Sequence, residues 1–440
     1  MIRCNFCQGI KRGHSHRRRA VMSGLLTVQV IATSVLVVGW WSVGCQPTTR
    51  VSSARIDQLA REPMIRVRIA QGVRQLSLDA DRSLHITTQP DGSHRVADLL
   101  TCRWSQASKR IVLDPGASGR SSEADQLTIE VEGAGSLRVD GQPYPGRITL
   151  VAAPTRGGFD VVNHVRIEQY LPSVLDRELY SHWHPNMFQA QAIAARSYAI
   201  AEKARTLHRH FDLESTQASQ VYGGQTINLK ALEAVRDTRG IVLTYEGQVL
   251  CAYYSSCTGG TGQDAAIAFP GDPDTKPLRG RRHGTWGSEC KYYRWGPITR
   301  RAWALSRRIA AWGKRVGHPV ARVGRIASIT VTRRNSVGRP ARFTITDNAG
   351  RSYQLDPESF RLSCNFQTTR LSKLASDARL RSGHVTVLVS DGKVRFTDGR
   401  GFGHGVGLDQ FGAQAMAKQG HAAAAILDFY YPQARLVAAY

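Results

Sequence analysis

Several side chains in this 440-residue chain are of types that could act on a polar polymer. Glu178 closes a segment that begins at Glu168, and Asp176 stands two positions before it. Gln191 and Arg196 lie in an Ala-rich stretch, and Tyr222 follows Gln220 and Val221. Ser255 and Ser256 lead into Cys257, Thr258, Gly259 and Gly260. His404 sits among Gly401, Gly403, Gly405 and Gly407, and Gln410 follows closely. A carboxylic acid protonates the leaving oxygen of a glycosidic bond well when burial holds its proton near neutral pH. Ordinary hydrolysis adds a second carboxylate as base or nucleophile. Asp176 is the nearest spare one, but side chains two apart on a helix diverge. A single-acid reaction suits Glu178 better: a hydroxyl of the sugar itself attacks, and the same carboxylate then takes up that proton. The competing reading of Glu178 is a solvated charge at a helix end.

The other residues divide in the same way. Four glycines around His404 allow positive φ or close approach to a ligand, so the imidazole either orients an acid, binds a sugar hydroxyl, or only closes a tight turn. No Gly-x-Ser-x-Gly elbow surrounds Ser255 or Ser256, which argues against a serine nucleophile. His208 and His210 read as solvated or capping residues at the end of an Arg-rich helix.

The elements that must carry these residues follow from periodicity. Ile65, Val67 and Ile69 alternate with Arg66 and Arg68 as in a strand, and further strands are expected at 127–131, 137–139 and 147–150, with Asp140-Gly141 as a turn. Helices are expected over 165–179, with Pro172 in a first turn or at a break, and over 186–207 after Pro185. Phe188, Ala192, Ala195 and Ala199 give the second a face of small residues that another backbone can approach. Strands are expected at 241–245, 249–254, 326–332 and 341–346, and a helix at 300–312. Strand blocks and helices without regular βαβ alternation indicate an α+β fold: a β-rich N-terminal part over 63–160 and a mixed-sheet core over 161–440, its Ala-rich helix bordering a cleft, with a basic insertion at about 276–325.

Charge and cysteines bear on compartment. The chain has 59 Lys+Arg against 34 Asp+Glu, a net charge of +25, which fits a polyanionic neighbour such as nucleic acid, a membrane surface or a cell wall, or is simply solvated. The N-terminal residues carry basic side chains and no acid, then an apolar run from Ala20 to Val43. That pattern is an export signal. Gly44-Cys45 resembles a lipobox with Ser42 where Leu is usual, making Cys45 a candidate for lipidation and residues 1–45 a signal segment. A retained membrane helix is the alternative. Residues 46–62 then read as a polar tether. Export argues against nucleic acid as partner, and no nucleic-acid reading module is present. Cys4 and Cys7, with His14 and His16, precede the signal and lack a surrounding domain, so they are not read as a zinc site. Of the cysteines after Cys45, Cys257 and Cys290 are the preferred disulfide, closing the Arg-rich loop 279–283.

In order and wording the segments around Glu178, Arg196, Tyr222, Ser255 and His404 resemble the SpoIID/LytB family of peptidoglycan-acting proteins, over about residues 163–431. The resemblance implies a lytic transglycosylase acting on glycan strands or, in the amidase-enhancer branch, a wall-binding modifier that works with a cell-wall amidase. Glu178 falls on the family's catalytic Glu, while Leu179 and Tyr180 replace a Met-Pro, and His184 is inserted between Trp183 and Pro185. Gln191, Arg196, Tyr222, Ser255, Ser256, His404 and Gln410 are the implied substrate contacts. Sporulation members hold zinc with Cys and His where this chain has Glu214, Ala218 and Ser219, so no metal and no other cofactor is expected.

Overall fold

The computed structural model describes residues 54–114, 121–132 and 136–440. The expected signal run and Cys45 lie outside them. No helix among the described residues is long and apolar enough to cross a membrane.

The architecture is α+β, as the sequence pattern predicts. A large, mostly antiparallel sheet runs in the order 213–214, 64–73, 158–166, 147–153, 126–131, 75–89, 94–104, 111–113, 122–124. Its period-two pattern buries Ile86 opposite Ile129, with Ile148 beyond, and Leu127 opposite Leu150, in a core of its own. The strand Met64–Val73 faces a second core through Ile65 and Val67 and pairs in parallel with Leu213–Glu214.

Eight helices are described: α1 (Ile167–Glu178), α2 (Pro185–Arg205), α3 (Leu229–Asp237), α4 (Ala265–Ala268), α5 (Ala302–Val316), α6 (Pro357–Asn365), α7 (Gln410–Lys418) and α8 (Ala423–Tyr430). His184 caps α2 by accepting the Asn186 N–H at its Nδ1, and Pro185 occupies the first helical position, where a missing N–H costs nothing. Every residue of α2 from Ala190 to Ala201 is buried. The Ala-rich run therefore does more than present one small face: it lets α1, α3, α7 and α8 close around the helix.

Three boundaries differ from the sequence expectation. Residues 54–62 are not a free tether: the Ile56 N–H donates to the Gly247 carbonyl, Val249 donates to Ala54, and Glu62 pairs with Arg239. The expected strand 249–254 is split, because Val249 pairs within a hairpin while Tyr254–Ser255 turns away to run parallel to Leu408–Asp409. The basic stretch 276–325 is not a packing unit. Leu305, Ile309 and Trp312 of α5 instead build a third core with Phe343, Phe360 and Phe396, extending far beyond residue 325.

Candidate active site

Glu178 is the last residue of α1 and is half-buried. Its Oε1 accepts the Val221 N–H at 3.1 Å. Burial raises its pKa above the usual carboxylate value, and the Val221 N–H and the Gln410 side chain pull it back in part. None of these influences is a second carboxylate. Asp176, half a turn away, is exposed and accepts from Thr226 Oγ1 at 2.8 Å and Asn228 Nδ2 at 2.7 Å, so it anchors the segment leading into α3.

The Val221 N–H is aimed by its neighbour. Gln220 is fully buried, accepts from the Tyr170 hydroxyl at 3.0 Å, and donates to the Ala195 carbonyl of α2 and the Tyr254 hydroxyl. Three elements thus hold one glutamine, and the next residue meets the acid. The charge of Glu178 in turn raises the pKa of Tyr254 after burial, which places that ring close to it.

The parallel pair Ser255↔Asp409 brings the serine segment against the start of α7, where Phe411 N–H donates to the Ser256 carbonyl. Asp409 caps α7 at Gly412 and accepts from both the backbone and hydroxyl of Thr258. This fixes Gln410 beside Glu178. Within the described residues, Ser255 Oγ and both polar atoms of the wholly buried Gln191 make no hydrogen bond, and Gln410 Nε2 has no partner beyond its approach to the Glu178 carboxyl. Buried polar atoms left unpaired cost about 1–3 kcal/mol each, so two such side chains from the expected contact set are consistent with a polar ligand. Gln191 lies one helical turn before Ala195, whose carbonyl Gln220 bonds.

An aromatic rim lies beside the acid. Tyr180, two residues past Glu178 and 55% exposed, stands 5.3 Å from the buried Trp183 ring and 6.1 Å from Phe411, the neighbour of Gln410.

His404 is placed differently from a partner of Glu178. Its Nδ1 accepts the Val406 N–H at 3.0 Å, and its ring packs on Phe269 and Tyr253. Burial, with Arg361 and Arg339 nearby, lowers its pKa to about 4 against the opposing pull of Glu358. The imidazole is neutral and shapes the loop. Beneath it, the fully buried Arg339 donates to the carbonyls of Thr258, Thr261 and His404. A Cβ at Gly405 would lie 2.4 Å from that guanidinium, so only glycine lets the loop close over it.

Two expected contacts are corrected. Arg196 is 0% exposed and its guanidinium is consumed by both oxygens of Glu168 and by the carbonyls of Ile241 and Val235. It ties α2 to α1 and the following strand. Tyr222 is buried, donates to Asn163 Oδ1 and packs on Tyr170; it supports the floor beneath Val221. Ser256 is half-buried and contributes its carbonyl. Cys257 and Cys290 are both buried free thiols whose segments meet at Gly287: the Cys257 thiol and the Cys290 N–H both point at its carbonyl. At the position of the family's zinc ligands, Glu214 pairs with Arg68, and Ser219 Oγ accepts the Glu214 N–H. His210 is partnered with Asp160.

The sequence reading missed the Val221 N–H, which as a backbone group leaves no mark of its own, and Arg339. The one trace of Arg339 is the turn Asn335–Gly338 before it, with Gly338 at φ 84. A cavity of about 570 Å³ between the end of α2 and the loop 272–279 is lined by none of the candidate site residues.

The sequence model of the family described as "Stage II sporulation protein" (SpoIID) matches residues 155–245, which include Glu178, Gln191 and Val221. The chain is 26% identical over 330 residues to "Amidase enhancer" of Bacillus subtilis strain 168, covering 67% of this chain and 44% of that protein. It is 23% identical over 343 residues to "Stage II sporulation protein D" of the same strain, covering 71% of this chain and 85% of that protein. A second "Stage II sporulation protein D", from Bacillus amyloliquefaciens, is 24% identical over 287 residues. With its motifs in order on one framework, the match to the SpoIID model and the similarity to these relatives support assignment of the chain to the SpoIID/LytB family.

Proposed function

We propose that the protein is an exported peptidoglycan lytic transglycosylase that cleaves the MurNAc–GlcNAc bond with Glu178 as its single acid and base. The observation that carries this is the half-buried Glu178 carboxyl, its pKa raised by burial, with the Val221 N–H and the Gln410 side chain turned toward it. The protonated carboxyl gives its proton to the GlcNAc O4 as the C1–O4 bond breaks, through an oxocarbenium-like transition state. The MurNAc C6 hydroxyl then bonds to C1, and its proton passes to the Glu178 carboxylate. No water is consumed, the acid is regenerated, and the product ends in a 1,6-anhydro sugar. Asp176 is engaged with Thr226 and Asn228, which favours a one-carboxylate scheme over hydrolysis. The apolar run 20–43 and Cys45 support export with a lipid anchor in the cell envelope, where the net charge of +25 favours an anionic wall.

Incubating the protein with purified glycan strands and analysing the products by mass spectrometry tests this. Anhydro-muropeptides are expected from the wild type and none from Glu178→Gln. Wild-type protein that binds strands and releases no anhydro product overturns the enzyme reading. The similarity to an amidase enhancer favours a second reading, a non-catalytic wall binder. Stimulation of an added amidase that survives Glu178→Gln would select it.

A further inference from the structure

The strand feeding the glycine loop carries a feature unrelated to the acid. Arg294–Trp295 pairs antiparallel with Gly399–Arg400, so Arg294 and Arg400 are directly opposite. Like charges at such a position repel and destabilise the pair. Arg395 joins them, and all three line one cavity of about 430 Å³ with Trp295 and Pro297. The one acid in the lining is Asp398, exposed and accepting from Thr397 Oγ1. None of the three arginines has an ion pair among the described residues. Trp295 is fixed as the wall, its Nε1 donating to the Gly401 carbonyl at 2.9 Å. Arg294 and Arg400 both act on the Tyr293 hydroxyl, so their charges converge on one side of this hairpin.

Repulsion retained across a paired site, in a concave setting where three guanidinium groups face a single exposed carboxylate that pairs with none of them, is relieved by an anion. A carboxylate has two oxygens and is satisfied by one guanidinium fork. A phosphoryl group offers more acceptor oxygens and up to two charges, and so can engage several forks together. We propose that Arg294, Arg395 and Arg400 form a binding site for a phosphoryl group, separate from the Glu178 site and independent of what Glu178 does. The group is carried either by a phosphomonoester, with three free oxygens and up to two charges, or by a phosphodiester polymer, which has two free oxygens and one charge per group but can present successive groups to the separate forks; the two sources are separable by experiment.

The test is isothermal titration of the full chain with inorganic phosphate, with a glycerol-phosphate oligomer and with acetate. Phosphate or the oligomer is expected to bind at least 10-fold more tightly than acetate. Tighter binding of the oligomer identifies the diester source, and tighter binding of inorganic phosphate the monoester. The triple variant R294Q/R395Q/R400Q is expected to lose at least 10-fold in phosphoryl affinity, while an Arg294→Lys/Arg400→Lys variant, which keeps the charge and loses the fork, is expected to fall in between. Removing like charges relieves repulsion, so the triple variant keeps or raises its melting temperature. Glu178→Gln leaves phosphoryl affinity unchanged, so failure here and failure of the transglycosylase reading are distinct results. Equal affinity of the triple variant and wild type, equal binding of acetate, or no binding by the wild type each overturns the proposal.

Discussion

Glu178 and Val221 are joined by a single hydrogen bond, 3.1 Å from the backbone N–H to the carboxylate, and Val221 is placed by a glutamine that α1, α2 and the serine strand all hold. The acid is thus oriented by main chain, which no substitution at 221 other than proline deletes. The proton is held by burial, and the bond sets where it points.

Glu178→Gln is expected to reduce glycan cleavage by about 10²–10⁴-fold, the usual worth of a general acid, with binding intact. Cleavage by the wild type should fall as pH rises through the raised pKa, because the acid form is the active one. The same shift has a stability consequence of fixed sign. A carboxyl raised in the folded state favours folding below its unfolded pKa, and that contribution is lost as pH rises through the folded value. Glu178→Gln should therefore raise the melting temperature relative to wild type more at pH 8 than at pH 4. An equal difference at both pH values would contradict a buried, proton-holding acid.

Tyr180 presents an exposed ring backed by Trp183 and Phe411. If sugar rings lie along this rim, Tyr180→Ala should weaken strand binding roughly 5-fold, in keeping with about 1 kcal/mol for a ring contact. Tryptophan fluorescence in the Glu178→Gln background measures this without turnover. Unchanged affinity would remove Tyr180 from the binding surface.

Arg339 is expected to be needed for the glycine loop. Replacement by Met strands three carbonyls at once, costing about 3 kcal/mol or more, and should lower the melting temperature by several degrees. Backbone amide exchange around residues 403–407 should accelerate more than in α3, which Arg339 does not touch. Uniform acceleration would point to global loosening instead.

Cys257 and Cys290 converge on the Gly287 carbonyl. In protein recovered from an oxidising envelope, the two thiols should have passed two electrons and two protons to a disulfide oxidant, and non-reducing peptide mapping should show them linked. The link would be worth about 3–4 kcal/mol for a loop of this size. Free alkylation of both thiols in the unreduced, unfolded protein would refute the pairing.

What could be read in the sequence was what periodicity and composition encode. The Ala-rich helix, its proline start and the alternating strand at Ile65 are local patterns, and they emerged at nearly the expected residues. Glu178 was visible through its motif. Arg196 and Tyr222 shared that motif and were expected as ligand contacts, whereas the structure gives each a partner inside the fold; sequence order does not distinguish a side chain facing a ligand from one holding the wall behind it. Arg196 spends its guanidinium on Glu168, 28 positions away, a pairing that only the packing of α1 on α2 reveals. The same blindness applies to Arg339, whose partners are backbone carbonyls with no identity in the sequence.

Glu178 ends α1, and this position acts on the proton as well as on the geometry. The last turn of a helix exposes carbonyl oxygens and carries about half a negative charge, an unfavourable neighbour for an anion by roughly 0.3–1 kcal/mol. The backbone dipole of α1 therefore works in the same direction as burial. Extending α1 beyond Glu178 would move the acid away from that negative pole and ease its ionisation, even with every side chain around it unchanged.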